Sequence, residues 1–463
     1  MVQRTESAPA SADRDLDRLD RLIEEQERAF LSRQRRSAEL LERARPVLAG
    51  GVTSSWQIAR PQAVWLDRGR GSRVWDADGN EYVDFHGGYG VNLSGHGHPA
   101  IVRAVTSRAP TGTHFAQPTE DAIVVAEELT RRFGLPVWRF NNSGTEATMD
   151  AVHLMRAATG RDRIVKVEGS YHGHHDSVMV SVYNDVEELG SPHRPDSPAS
   201  GAGLPRAILE LVTVVPYNDL AALERILDEH AGEVAGMIVE PVMMNAGIIL
   251  PDDGYLAGVR DLVHARGALL AFDEVKTGFT AGPGGGTAAF GVSPDLVCLA
   301  KALGGGVPCG AIGGTEAVMG LIADGRYEQV GTFNGNPLTM AAARAQLLEV
   351  LDEEAYRRLG RLRDQIVRGA ERIIGAFDLP AHVVAVGAKG CITFSPTPVR
   401  NYRAFLAIDD RWSHAHWLFQ MAGGVFLPPW GKAEQWLLSV QHAEADIDRF
   451  LDNFETFGRA LRA

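Results

Sequence analysis

The chain has 463 residues and is 45% hydrophobic, enough to bury a large core and to build one big α/β unit with smaller lobes. Its formal net charge of −13 argues against a nucleic-acid partner or an anionic membrane surface, since both need local positive potential. Three cysteines, Cys298, Cys309 and Cys391, are too few and too irregularly spaced for a disulfide framework or a zinc cluster, which points to a reducing compartment. The first residues lack an apolar signal core, and no stretch approaches ~18 continuous apolar residues, so a cytoplasmic protein is expected.

Residues 1 to 13 are small and polar, and read as disordered. From Leu16 to Leu41 apolar positions recur at helical spacing among Arg and Glu, predicting one amphipathic helix that ends near Pro46 and serves packing or dimer bracing. "VWLDRGRGSRVWDADGNEYVDF" alternates apolar and polar residues around turn signals and predicts a short β-meander. From about residue 120 short apolar runs alternate with helical patterns, which indicates a mostly parallel sheet covered on both faces. "SPHRPDSPASGAGLP" (191–205) has the composition of a mobile lid, and "GPGGG" (282–286) reads as a surface loop. After about 335 a helix-rich segment leads into a smaller α/β portion.

In a parallel α/β sheet ligands sit at the carboxyl ends of strands, so motifs just after apolar runs matter most. Ser143, Gly144 and Thr145 follow "VWRF" and open a helix, whose first N–H groups and positive dipole end suit an anion. Asp273 ends "LLAF", where a desolvated carboxylate needs a cationic or N–H partner; a helix cap or structural salt bridge is the plainer alternative. Lys301 follows "PDLVCLA" and precedes "LGGG", where desolvation lowers an amine's pKa and makes it a nucleophile for carbonyls. An anion cradle, a buried acid and an apolar-flanked lysine are what pyridoxal 5'-phosphate requires. The chain has five lysines, Lys166, Lys276, Lys301, Lys389 and Lys432. Lys276 shares a local segment with Asp273, whereas Lys301 arrives from another strand and is able to face that acid across a ring.

"NNSGTEATMDAVHLMRAATGR", "YHGHHD", "IVEPVMMNAGI", "LLAFDEVKTGF", "PDLVCLAKALGGGVPCGAIGG" and "GTFNGNPLTMAA", in this order, resemble the signatures of class III pyridoxal-phosphate-dependent aminotransferases of fold type I. Within that class the "PDSP", "GGV" and "DADGN" stretches resemble the glutamate-1-semialdehyde 2,1-aminomutase branch. The resemblance implies a large, mostly parallel α/β domain and a smaller α/β domain built from both termini. The segments are then a helical extension at 1–45, part of the small domain at 46–110, the cofactor-binding domain at 111–335, and the rest of the small domain at 336–463. It implies that Lys301 joins the cofactor and moves the proton, while Asp273 keeps the pyridine nitrogen protonated. Ser143, Gly144 and Thr145 would hold the phosphate, Tyr171 and Val275 the two ring faces, and Asn245 the ring hydroxyl, with His172 and Glu240 also cofactor-binding. Gly331 and Thr332 match a loop donated to the phosphate of a neighbouring subunit, so a homodimer with shared active sites is implied. Its partners would be a small-molecule amino donor and a keto acceptor.

His172, His174 and His175 suggest metal ligands at first sight, but adjacent histidines diverge and no His-Glu-x-x-His spacing is present, so no metal is expected. "GPGGG" lacks the preceding strand and following acid of a dinucleotide loop. Against the aminomutase pattern the chain departs at "GGVTSSWQIARPQ", where Gln57 stands in place of a carboxylate-gripping arginine, with Arg60 nearby. Trp56 and Tyr89 make the substrate pocket bulkier, and Lys276 replaces a typical Met. These departures favour an aminotransferase for a β- or D-amino acid or a bulky amine, ahead of an aminomutase and of a non-catalytic module on the same fold.

Overall fold

The protein is described by a computed structural model over residues 9–429, 431–433 and 435–463, with side chains from Leu16 onward. Two helices, Pro9–Arg33 and Arg35–Ala44, occupy the region where one was expected. The apolar period runs on through Gln34, but that side chain is buried and donates to Asp76 (2.8 Å) and to the Tyr82 hydroxyl (2.9 Å). Beyond it the Asp78 carboxylate accepts from the Arg36 and Ser37 amides at 2.6 and 3.0 Å, restarting the helix at a new angle. Residues 1–8 of the stretch read as disordered lie outside the described residues, and from Pro9 the chain is already helical. The first helix buries Leu19, Leu22 and Phe30 against the helix Asp410–Ala422, where Phe30 meets Trp417 at 5.4 Å between ring centres. His414–Glu27 (2.8 Å) and Arg411–Asp20 (3.1 Å) fasten the polar side of that contact.

The meander is β1 (Leu66–Arg70), β2 (Arg73–Asp76) and β3 (Glu81–Asp84), all antiparallel. β4 (Val137–Asn141), β5 (Arg163–Val167), the tiny hairpin β6 (Gly190–Ser191) and β7 (Arg194–Pro195), and β8 (Val212–Val215) follow. Next come β9 (Val234–Val239), β10 (Leu269–Asp273), β11 (Leu296–Leu299) and β12 (Gly310–Gly314). The main sheet has the order β4-β12-β11-β10-β9-β5-β8, parallel throughout except for β12, which runs against both neighbours. β8, β9, β11 and β12 are buried along their whole length, as strands sandwiched between helical layers must be. The C-terminal part adds β13 (His382–Val386), β14 (Lys389–Thr393), β15 (Val425–Phe426) and β16 (Trp436–Leu437). β15 pairs with β3, tying the C-terminal region to the N-terminal meander.

One loop expectation is corrected. "GPGGG" is an interior element: Gly284, Gly285 and Gly286 are buried and open the helix Gly285–Phe290 around the carboxylate of Glu274. That carboxylate accepts from Gly286 N, Thr287 N, Thr287 Oγ1 and Thr277 Oγ1 at 2.6 to 2.7 Å. Glycine is required because a Cβ on Gly285 would stand 2.3 Å from Glu274 Oε2, at a positive φ of 62°. Glu274→Ala strands four buried donors, so it is expected to cost about 3–5 kcal/mol, seen as a lower urea unfolding midpoint. At the start of the 191–205 segment Arg403 donates to the carbonyls of Leu189, Gly190 and Ser191 while its guanidinium pairs with buried Glu168 at 2.9 Å, and most of the segment beyond is exposed or half-buried.

Candidate active site

Five parallel strands end on one edge of the main sheet, and each delivers a side chain there. β4 leads to Ser143, β5 to Tyr171 and His172, β9 to Glu240, β10 to Asp273, and β11 to Lys301. Together they line a cavity of about 360 Å³, with Gly144, Thr145, Asn245, Val275, Lys276, Trp56 and the Val307–Cys309 turn completing the wall.

Asp273 pairs in register with Cys298 of the neighbouring strand, so Lys301, three residues on, turns back over the same strand end. Lys301 begins the turn Lys301–Gly304 with φ 48°, a left-handed conformation that a lysine adopts only where the surroundings impose it. Burial pushes its amine below the usual lysine range, partly countered by the nearby Asp273 and Glu240 charges. Asp273 itself is buried; Oδ1 accepts from Val275 N at 3.0 Å and Oδ2 meets His172 Nδ1 at 2.8 Å. His172 is thus a strut that orients the carboxylate, and its Nε2 is buried with no partner among the described residues.

Ser143 caps the helix Gly144–Thr159 by accepting from Glu146 N at 3.2 Å, leaving the first N–H groups of that helix at the cavity corner. The corner is built for close approach. A Cβ on Gly144 would lie 2.8 Å from Val275, one on Gly173 2.7 Å from Thr145 Oγ1, and one on Gly310 2.5 Å from the Ser143 carbonyl. Glu240 acts through others: Oε1 accepts from Tyr171 N (3.1 Å), and Oε2 from Met244 N (2.9 Å) and Asn245 Nδ2 (3.0 Å). It therefore fixes both the Tyr171 ring and the Asn245 amide.

The remaining expected residues divide. Trp56 stands in the cavity wall with its ring between Tyr89 (5.3 Å) and Tyr171 (5.2 Å), and Tyr89 donates to the Trp56 carbonyl at 2.9 Å. Gln57 turns away: it is exposed, its Oε1 accepts from Thr53 N and Oγ1, and it borders a separate cavity near the meander. Arg60 is exposed as well. Gly331 and Thr332 are exposed and border none of this cavity. Of the three adjacent histidines, His172 serves Asp273, His174 is exposed and His175 lies 3.4 Å from Thr148 Oγ1. Lys389, Tyr183 and Gln435 reach the site without having been anticipated; a lysine inside the apolar run "VVAVGAKGCITF" was the available signal for the first. Cys309 lines the cavity too, but burial holds its thiol up at about 12, so it is inert.

The class III aminotransferase family model matches residues 57–423. The chain belongs to the class III aminotransferases. This class III aminotransferase is 37% identical over 422 residues to the glutamate-1-semialdehyde 2,1-aminomutase of Aquifex aeolicus, covering 90% of this chain and 98% of that one. Its fold is similar to an omega-transaminase from Sphaerobacter thermophilus, at 34% identity and a TM-score of 0.87, with 92% of this chain and 98% of that one covered. It is similar as well to a glutamate-1-semialdehyde-aminomutase from Pseudomonas aeruginosa PAO1 in complex with PMP, at 30% identity and a TM-score of 0.88, covering 96% and 99%. The enzyme thus has the fold type I architecture and uses pyridoxal phosphate. The glycine-lined corner, the buried acid and the desolvated lysine fit that cofactor's phosphate, ring nitrogen and aldehyde. Among the described residues no helix is long and apolar enough to cross a membrane.

Proposed function

We propose that this enzyme is an aminotransferase that moves an amino group from a β- or D-amino acid, or from a bulky amine, to a keto acid. The observation that carries this reading is the aromatic cluster of Trp56, Tyr89 and Tyr171: Trp56 and Tyr171 line the cavity and Tyr89 the adjoining pocket, giving a broad aromatic face there. The segment 50–60 places Trp56 in the cavity wall, with Gln57 folded onto Thr53 and Arg60 exposed. Bound pyridoxal phosphate supplies an electron sink for charge developing on the substrate carbon. The chain's own part is to hold and move protons: Asp273 keeps one on the ring nitrogen, and Lys301 takes and returns one at the substrate carbon. Glu240 fixes the Asn245 amide and the Tyr171 backbone, so that Asn245 would hold the ring hydroxyl and Tyr171 would cover one ring face.

The similarity to glutamate-1-semialdehyde aminomutases favours a second reading, in which the intermediate is retained and re-aminated. The two are separated by mixing the yellow enzyme with α-, β- and D-amino acids, simple amines and glutamate-1-semialdehyde while following the cofactor absorbance. Bleaching by one donor with release of its keto product establishes the aminotransferase. Formation of 5-aminolevulinate with no free keto acid establishes the aminomutase, and a protein that stays colourless with added cofactor has neither activity.

The site is completed by a second copy of the chain. Gly331 and Thr332 sit on an exposed loop between Val330 and Phe333, which are 81% and 59% exposed, a waste of apolar surface unless it is covered. Phe333→Asp is expected to shift the dimer to monomer in light scattering and to lower cofactor affinity at least about 10-fold.

A further inference from the structure

Beside the cofactor cavity lies a smaller one of about 70 Å³, which shares Trp56, Asn245 and Lys276 with it and adds Tyr183, Lys389 and Gln435. Two of the chain's five lysines therefore line one pocket next to a third, Lys301. Lys276 comes from the segment after β10, and Lys389 from the first position of β14, 113 residues on in the sequence. A Cβ on Gly90 would lie 3.6 Å from both Lys389 Nζ and Lys301 Cδ, which places the Lys389 ammonium within about 7 Å of the Lys301 side chain.

We propose that Lys276 and Lys389 form a carboxylate-binding subsite, so that the amino donor is an amino acid whose carboxylate enters this pocket. The proposal rests on the aminotransferase reading and narrows it from amines in general to amino acids. Lys276 Nζ donates to the Met244 carbonyl at 2.9 Å, and Gln435 donates to that same carbonyl and to Gly247 O at 2.6 Å, so the ammonium is held at the pocket wall. An ammonium carries three donors and is able to hold a carboxylate oxygen beside that carbonyl. The charge of Lys276 also acts on Glu240, whose two oxygens accept from Tyr171, Met244 and Asn245. A ring attached to the same substrate has the Trp56–Tyr89 face to lie on. Two cationic side chains lining one pocket favour an anion over a neutral group of the same shape.

The test is calorimetric titration of the holoenzyme with 3-phenylpropanoate and with its neutral analogue 3-phenylpropanamide, neither of which carries an amine. The wild type is expected to prefer the anion at least about 10-fold, Lys276→Met to lose most of that preference, and Lys276→Arg to retain most of it. Lys389→Met is expected to act in the same direction; since Lys389 is buried, its holoenzyme absorbance and unfolding midpoint are checked first. Equal binding of anion and amide, absence of anion binding at millimolar concentration, or an unchanged preference in Lys276→Met overturns the subsite. Because the readout is equilibrium binding, it is independent of whether the half-reaction screen finds an amino donor, so failure of either reading is seen separately.

Discussion

Lys301→Ala is expected to lower turnover at least about 10⁴-fold while leaving the fold intact, because on the proposed role it removes both the amine that would join the cofactor and the group that would move the proton. Alanine keeps a Cβ in the left-handed backbone position at φ 48°, so the Lys301–Gly304 turn sees no change in strain. The phosphate corner and Asp273 remain, so cofactor still binds but no longer becomes fixed to the chain by borohydride reduction, which mass spectrometry reads directly. Lys276→Ala is the contrasting variant: borohydride still fixes the cofactor, since Lys276 Nζ is directed to the Met244 carbonyl. A pH dependence follows from burial. Because the Lys301 amine is held below the usual lysine range, its neutral, nucleophilic form is present at lower pH than for a free lysine. Apoenzyme is therefore expected to capture added pyridoxal phosphate with a half-maximal rate below the ordinary lysine pKa. A half-maximal rate at the ordinary lysine pKa would mean that the apolar end of β11 does not desolvate this amine.

What the sequence made legible follows the topology of the sheet. Ser143, Asp273 and Lys301 each sit immediately after an apolar run, and parallel strands carry all such positions to one edge, so motifs far apart in sequence meet in one cavity. Tyr183 and Gln435 were not legible, because they come from the loop after β5 and the segment before β16, where no motif marks them, and Lys389 of β14 carried only the signal of a lysine inside an apolar run. The Gln34 break was hidden because helical periodicity continues across it; a buried amide serving Asp76 and Tyr82 overrides local preference. "GPGGG" has surface composition, yet its glycines make room for an internal carboxylate supplied by Glu274, the residue beside Asp273. Gln57 lies in a short stretch of turns where no periodicity dictates direction, so its neighbour Trp56 lines the cavity wall and Gln57 does not.

Asp273→Asn is expected to be the second most damaging change, lowering kcat/KM about 10³-fold with little loss of stability. The amide has the size of the carboxylate and still accepts from Val275 N through one oxygen, so the strand end keeps its shape. On the proposed role, what would be lost is the negative charge that would hold a proton on the cofactor's ring nitrogen, and with it the ring's capacity to take up charge from the substrate carbon. Removing the strut instead, with His172→Phe, leaves that charge in place but frees its orientation, since the 2.8 Å contact to Oδ2 disappears. The expected loss is then about 10-fold, and the absorbance of the bound cofactor moves less than in Asp273→Asn. This ordering separates an electrostatic role from a packing role. Were Asp273 merely a cap for the Val275 amide, asparagine would serve equally and His172→Phe would do the greater harm, because phenylalanine leaves the buried Oδ2 without its donor.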